Sequence, residues 1–338
     1  MPLTLKKIDK RIGLAYNWLE AQTNKTNNFT EYLYYPDTNR FSAEINYVRI
    51  IATTWKQAEI AAYLDKKNFK QGPSLLSYLN QFLVAENDSA YYRIDDRAKA
   101  AYNAFAILLL LELDRDKEQE DLLNNLANGL LSLVKPDGSI SGDFLKPALG
   151  GKNFFPFEAA LAMLKYFSQS NNPLFWQAAL NIFRYYRLTW PENQNTPMIP
   201  WLTHSFCEYT KTKHDPELSE FIFTLNDWYI KQKKYTLKKI PRSSLASFAE
   251  SMLAAAQLAE LYNQTERRER YLHYGNKALR KILKLQCLRD KSELFSSPGL
   301  ALGGFCHLPN DNQQRCDYTQ HALGALHLAA QIAKENNK

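Results

Sequence analysis

The sequence predicts an all-α fold in which six helical hairpins close into an (α/α)6 toroid, with an inner and an outer ring of helices. Three observations support this prediction. Apolar residues recur at spacings of three and four in twelve separate segments, every second segment is the more apolar of its pair, and the links are alternately short and long. Because no strand-rich stretch is left over, residues 1–338 are predicted to form a single toroid domain.

The twelve helices are separated by clusters of Gly, Pro, Asn and Asp, which favour turns and helix ends. They are predicted at residues 4–22, 44–66, 73–86, 96–114, 117–134, 156–168, 173–189, 200–212, 215–232, 243–263, 265–287 and 317–335. The even-numbered helices contain apolar and small-residue runs such as 101–108, 159–164 and 254–259. A helix that is apolar on most sides is buried on most sides, so these helices are assigned to the inner ring.

The links between helices predict where function lies. Links from an inner to an outer helix are short, as at 114–116, whereas links from an outer to an inner helix are long, as at 27–43, 135–155 and 288–316. In a ring of antiparallel hairpins all the long links lie on one rim. Long ordered loops on a rigid scaffold commonly carry binding and catalytic groups, so this rim is the expected functional face.

Charge and composition exclude some partners. The formal net charge is +7, but Lys and Arg are interspersed with Asp and Glu along the sequence, and no basic run is interleaved with aromatic residues. We therefore predict no nucleic-acid partner. The longest apolar run, 104–111, is too short to span a bilayer, so no membrane span is predicted.

Targeting and cysteine patterns favour an intracellular protein. Residues 1–10 lack the apolar region of a secretory signal, which predicts a cytoplasmic location and leaves secretion without a signal open. The cysteines have no CxxC spacing and are predicted to be free thiols; they are Cys207, Cys287, Cys306 and Cys316. Cys306, His307, Cys316 and His321 lie close in sequence, but their spacing does not match a zinc site, so no metal and no cofactor are predicted.

Several stretches carry a family resemblance. They are residues 34–41 (YYPDTNRF), 46–49 (NYVR), 154–161 (FFPFEAAL) and 317–323 (DYTQHAL). They resemble the α/α-toroid superfamily of six helical hairpins, whose members include glycosidases, sugar epimerases, terpenoid cyclases and prenyltransferase β-subunits, and within it a bacterial branch. The resemblance implies a fold for the whole chain and identifies no reaction.

The first turns of the inner helices supply the candidate site residues. If these helices begin at the open face, their polar side chains point into its mouth. The substrate-binding candidates are Glu44, Asn46, Arg49, Asp96, Trp201, His204 and His321, with Tyr35 as an aromatic platform in the first long link. Structural roles stay open for some of the others: Asp317 with Gln320 fits a capping box, and Glu158 fits the favourable end of a helix dipole.

Three carboxylic acids are the catalytic candidates. Hydrolysis of a glycosidic bond needs one carboxylic acid to protonate the leaving oxygen and a second carboxylate to activate water or attack the sugar. Glu158 and Asp317 are the leading acid and base. Glu250 lies about two turns inside an apolar helix, where an unpaired carboxylate is costly, so it is either satisfied by a structural partner or is an acid with a raised pKa.

The sequence therefore predicts a carbohydrate-active enzyme of the glycoside hydrolase type that takes a small-molecule or glycan ligand. A module that only binds a glycan or a protein partner, such as a secreted effector, remains an alternative. A sugar epimerase would use His204 and His321 as opposed acid and base. Terpenoid or prenyl chemistry would require a greasy, aromatic-lined cavity. No oligomeric state is predicted.

Overall fold

The computed structural model describes residues 3–24, 29–146, 154–234 and 236–336. The helices in these residues are α1 (Leu5–Ala21), α2 (Tyr47–Tyr63), α3 (Gln71–Leu79), α4 (Ala100–Leu111), α5 (Lys117–Ser132), α6 (Phe155–Ser170), α7 (Pro173–Thr189), α8 (Met198–Tyr209), α9 (Pro216–Lys233), α10 (Leu245–Leu261), α11 (Thr265–Ile282), α12 (Arg289–Ser292), α13 (Pro298–Ala301) and α14 (Cys316–Glu335). Each of the twelve predicted segments contains a helix, and α12 and α13 are additional short helices in the last long link.

Six short strands were not predicted. They are β1 (Leu33–Tyr35), β2 (Arg40–Phe41), β3 (Leu83–Glu86), β4 (Ser89–Tyr92), β5 (Cys306–Leu308) and β6 (Asp311–Arg315). The prediction of one helix over 73–86 is wrong beyond Leu79, because a 3₁₀ turn and then β3 follow. Glu86 pairs with Ser89 across a two-residue hairpin turn in which Asn87 has φ 57°, a conformation that Asn adopts readily and that ends any helix.

Two helix starts also differ from the prediction. Helix α2 begins at Tyr47 rather than at 44, since the side chain of Asn46 caps it by accepting the Arg49 N–H at 3.3 Å. Helix α4 begins at Ala100 rather than at 96, because Asp95 has φ 56° and lies in a turn; the N-cap of this helix is Lys99. Capping side chains and residues with a left-handed backbone conformation thus set the ends of these helices, which apolar periodicity locates only imprecisely.

The chain divides into two compact units, residues 1–74 with 230–338 and residues 75–229. In the first unit, α14 packs against α1, α2 and α10, and α10 packs against α11. Strand β1, which precedes α2, pairs with β6, which precedes α14, within a four-stranded sheet ordered β2-β1-β6-β5. This sheet therefore holds two of the predicted long links together at the starts of α2 and α14. A single domain over the chain remains a prediction.

In the second unit, α6 packs against α4, α7 and α8, and the β3–β4 hairpin packs against α5. Asn103 of α4 is fully buried and joins these elements. It accepts the Tyr92 N–H at 3.3 Å and donates to the carbonyl oxygens of Ala90 and Leu126 at 2.9 and 3.1 Å. Gly129 of α5 allows the close approach, since a Cβ there would lie 2.2 Å from the Ala90 oxygen.

Candidate active site

The start of α14 gathers polar side chains in the first unit. Strand β6 ends at Arg315 in extended backbone, and α14 begins at the next residue, whose N–H donates to the Tyr32 carbonyl oxygen at 2.9 Å. Asp317 and His321 are four residues apart and so lie on one face of the helix. We call the following residues the polar cluster: Tyr32, Arg49, Glu250, Arg315, Asp317 and His321.

Asp317 is held by two arginines. Its carboxylate accepts from Nε and Nη2 of Arg315 at 2.9 and 2.5 Å, and Nε of Arg49 lies 3.0 Å from Oδ2. Asp317 is thus inside the first turn and ion-paired, and the capping-box interpretation is wrong because the N-cap is Arg315. Two guanidinium groups share this one carboxylate, which leaves a local excess of positive charge.

Aromatic rings hold these guanidinium groups in place. The Arg315 guanidinium lies over the rings of Tyr32 and Tyr318, 5.4 and 4.4 Å from their centroids. Arg49 donates from Nη1 to the Tyr32 hydroxyl at 2.6 Å, and its side chain is 39% exposed. Arg49 therefore reaches solvent from a fixed position, as a residue that contacts a ligand must.

Glu250 and His321 form a close pair. The Oε2 atom of Glu250 lies 2.6 Å from Nδ1 of His321, and the two side chains are 7% and 24% exposed. Burial lowers the pKa of His321, but the charge and hydrogen bond of Glu250, together with the charge of Asp317, outweigh burial and raise it. The buried carboxylate expected to need a partner has one, and that partner is a titratable group.

Two neighbours of this pair were not foreseen. Gly324, one turn after His321 in α14, makes room for the carboxylate, since a Cβ there would lie 1.7 Å from Oε1 of Glu250. Lys56 of α2 is buried, forms an ion pair with Glu59, and its charge opposes protonation of His321. The proton affinity of His321 therefore depends on residues of α2 and α10, two of the helices that pack against α14.

Glu158 lies in the second unit, in the first turn of α6. The residue is 5% exposed, and burial raises the pKa of its carboxyl group to about 8. Its Oε2 atom has no hydrogen-bond partner among the described residues. A carboxyl group in this state is neutral at neutral pH and can donate a proton.

The remaining candidates occupy varied positions. In α8, Trp201 packs edge-on against Phe105 at 5.4 Å, and the ring centroid of His204 is 6.4 Å from that of Trp201. Tyr35 and Glu44 are exposed, Asn46 is the cap of α2, and Asp96 is an exposed partner of Lys146 at 2.5 Å. Their roles in substrate binding remain predictions.

Sequence reasoning missed Tyr32, Arg315, Lys56 and Gly324. Arg315 lies two residues before Asp317, and this spacing of opposite charges is the one local signal that could have drawn attention to it. The contribution of Gly324 depends on contact between α14 and α10, which are distant in sequence. No local pattern reports such a contact.

Among the described residues, no three His, Cys, Asp or Glu side chains converge in a way that could hold a metal ion. Over the same part of the chain, no helix combines the length and apolar character needed to cross a membrane.

The chain resembles solved structures over nearly its full length. No family model and no curated protein sequence matches it. D-mannose isomerase has 11% sequence identity and a TM-score of 0.68, covering 97% of each chain. Cellobiose 2-epimerase from Spirochaeta thermophila has 13% identity and a TM-score of 0.69, covering 97% of this chain and 98% of the epimerase.

A hydrolase shares the same fold. Unsaturated glucuronyl hydrolase from Bacillus sp. GL1 has 14% identity and a TM-score of 0.66, covering 94% of this chain and 96% of the hydrolase. The names of these proteins are those of carbohydrate-active enzymes, of both the isomerising and the hydrolysing kind. At these identities the likeness establishes the fold, so the chain has the (α/α)6 toroid fold of the six-hairpin glycosidase-like enzymes, as its sequence predicts.

Proposed function

We propose that this protein is a carbohydrate-active enzyme that moves a proton on a reducing sugar, as an aldose isomerase or epimerase does. The observation that carries the proposal is the 2.6 Å contact between Nδ1 of His321 and Oε2 of Glu250. A carboxylate bound to one imidazole nitrogen fixes the tautomer and the ring orientation of a histidine that acts in proton transfer. Sugar isomerases and epimerases among the similar folds support this assignment.

The chemistry requires one base and one source of positive charge. Neutral His321 removes the proton on the carbon next to the aldehyde of the open-chain sugar, and the electron pair moves onto the carbonyl oxygen to give an enediolate. The ketose forms when the hydroxyl proton on the second oxygen passes to the first oxygen and a proton returns to the first carbon. The epimer forms when a proton donor on the opposite side delivers a proton to the opposite face of the second carbon. Arg49, which is fixed and solvent-accessible, stabilises the negative oxygen.

Asp317 has a positioning role in this scheme. Its two oxygens already accept N–H groups from Arg315 and lie against Arg49, so it is poorly placed to accept a further proton. Its charge instead orients the guanidinium groups. The role of Asp317 as a hydrolytic base is thus less favourable than the sequence alone suggests.

Glycoside hydrolysis is the second candidate function, and Glu158 favours it. Burial raises the pKa of this carboxyl group to about 8, so it carries the proton that a departing glycosidic oxygen needs. Hydrolysis also requires a second carboxylate that is available to water. A module that binds glycans without reaction is the remaining alternative.

Proton exchange with solvent tests the proposal directly. The protein is incubated with a panel of aldoses and disaccharides in D2O, and ¹H NMR follows exchange at the second carbon and the appearance of ketose or epimer. We expect His321→Gln to lower the rate by roughly 10²- to 10⁴-fold. His273→Gln, which changes an exposed histidine of α11, is the matched control and should retain the wild-type rate.

The alternatives give distinct results in the same samples. Cleavage of glycosides that is lost in Glu158→Gln, without exchange at the second carbon, would assign the protein as a hydrolase. Binding of sugars with neither exchange nor cleavage would assign it as a binding module. Exchange that persists in His321→Gln would remove His321 from the proposed role.

A further inference from the structure

A cluster of lysines in the first unit comes from two stretches that contain no acidic residue. Residues 230–249 connect α9 to α10, and residues 270–289 include the second half of α11. Each stretch contains six Lys or Arg residues and no Asp or Glu. Acid-free stretches of this length also occur at 66–85 and 159–191, but each of those contains only three Lys or Arg residues. The density of basic residues therefore sets the two stretches apart, and their placement in the fold matters.

The fold brings these two stretches into contact. The ammonium group of Lys281 in α11 donates to the backbone oxygen of Lys239. Burial and then the charges of Lys284 and Lys277 lower the pKa of Lys281, so these lysines lie close enough to repel one another. We give the name basic surface to the group of lysines formed by Lys238, Lys239, Lys277, Lys281 and Lys284. Lys238, Lys239 and Lys284 of this group are exposed.

Helix stability explains only part of this cluster. A cation in the last turn of a helix interacts favourably with its dipole, and Lys281 is in the last turn of α11. Lys239 lies in a separate segment, and Lys277 is a full turn further from the helix end. Among the described residues, Lys239, Lys277, Lys281 and Lys284 form no ion pair with a carboxylate. Their mutual repulsion is a cost that a bound anion would relieve.

We propose that the basic surface docks an acidic polysaccharide, a chain that carries carboxylate or sulfate groups. Lys277 and Lys281 are four residues apart on one face of α11, and Lys284 follows in the turn after the helix ends at Ile282, so the three charges succeed one another along the chain, as suits a linear polyanion. The surface consists of lysines, whose ammonium groups act as compact point charges and impose no bidentate geometry on the anion. The choice of a polysaccharide rests on the proposed function, in which the protein acts on sugars.

Binding of a defined polyanion to the full chain tests this inference. The probe is fluorescently labelled polygalacturonate, and fluorescence anisotropy is recorded at several salt concentrations. The triple variant Lys239→Gln, Lys281→Gln, Lys284→Gln is compared with Lys6→Gln, Lys7→Gln, Lys10→Gln, which removes the same net charge from exposed positions of α1. Both variants have the same overall charge, so any difference between them is local.

We expect the first triple variant to lose about tenfold or more in affinity and to show a weaker salt dependence, while the α1 variant changes by about twofold or less. Equal losses in the two variants would overturn the inference, because net charge alone would then explain binding. Tighter, lysine-dependent binding of single-stranded DNA or of anionic phospholipid vesicles would also overturn it, by assigning the surface to a nucleic acid or a membrane.

Measurements on small sugars separate this inference from the proposed function. The first triple variant should keep the wild-type rate of proton exchange on monosaccharides, since its lysines lie outside the polar cluster. Lysine-dependent binding of polygalacturonate without exchange or cleavage of any sugar would support the docking surface and refute the proposed enzyme. Exchange on small sugars without lysine-dependent binding of polygalacturonate would support the proposed enzyme and refute the docking surface.

Discussion

Replacement of Gly324 by alanine should disrupt the Glu250–His321 pair without changing either of its two residues. A Cβ at this position would lie 1.7 Å from Oε1 and 2.7 Å from Cδ of Glu250, well inside van der Waals contact. The carboxylate must therefore move, and Oε2 cannot keep its 2.6 Å contact with Nδ1 of His321. A substitution that adds one methyl group to α14 thus acts on a side chain of α10.

The size of the effect follows from two opposing terms. Alanine in place of glycine inside a helix adds roughly 0.5–1 kcal/mol of stability. Loss of a buried hydrogen bond to a charged group removes about 1.5–3 kcal/mol. We therefore expect Gly324→Ala to lower the free energy of unfolding by about 1–2 kcal/mol.

Gly13→Ala provides the matched control. Gly13 lies in α1, and a Cβ there would meet no heavy atom within 4 Å, so only the helix term applies and the variant should gain roughly 0.5–1 kcal/mol. Urea unfolding at pH 6 measures both variants, with the midpoint compared at a constant slope. NMR titration of the His321 ring should show a lower pKa in Gly324→Ala than in the wild type.

The opposite pattern would refute the reasoning. If Gly324→Ala gained as much stability as Gly13→Ala and left the pKa of His321 unchanged, the Glu250 carboxylate could move at no cost. It would then neither orient the imidazole nor raise its pKa. Its role in the proposed chemistry would be lost.

Three further predictions concern pH and buried polar groups. Glu250→Gln should lower the pKa of His321 in an NMR titration. Because the pKa of His321 in the folded state is raised above 6.5, the stability that Glu250 provides is present below about pH 6.5 and is lost as pH rises through that folded-state pKa. The folded-state pKa of Glu158 is about 8, above the reference of 4.5, so the stability of the wild type should fall as pH rises from 4.5 to 8. In urea unfolding at pH 9, the free energy of unfolding of Glu158→Gln should exceed that of the wild type by a few kcal/mol. Asn103→Ala should cost about 2–4 kcal/mol in thermal or urea unfolding, since it removes three hydrogen bonds to buried backbone groups. Asn128→Ala, which removes one exposed bond to Asp88, should cost less than about 1 kcal/mol, and equal costs would contradict the role of burial.

The sequence predicts the helices well because helix periodicity is local. Runs such as 101–108 and 254–259 lie within α4 and α10, and both helices are buried over nearly all of their lengths. The strands are a different matter. Strand β1 pairs with β6 at the other end of the chain, and three-residue strands carry too few positions for an alternating pattern to be read.

The candidate site was predictable where a residue is anomalous in its own helix. Glu250 was found because its carboxylate lies inside an apolar helix, whereas Glu158 was found by its place in the first turn of an inner helix, and both are buried in the structure. Asp317 was predicted as a leading catalytic carboxylate, with a capping role left open because an N-cap and a first-turn aspartate look alike in sequence. Its partner Arg49 lies in α2, and only the packing of α2 against α14 distinguishes an ion pair from a cap.

The position of His321 between α10 and α2 links packing to chemistry. Glu250 raises its pKa from one side, and Lys56 opposes protonation from the other. A base with a higher pKa accepts a proton more readily, but a smaller fraction of it is neutral at neutral pH. The net rise in pKa therefore makes His321 a stronger base and reduces the fraction of it that is neutral. A rate that depends on neutral His321 should consequently increase as pH rises through that pKa. Since Gly324 lets the carboxylate approach, a glycine that touches no substrate takes part in setting this balance.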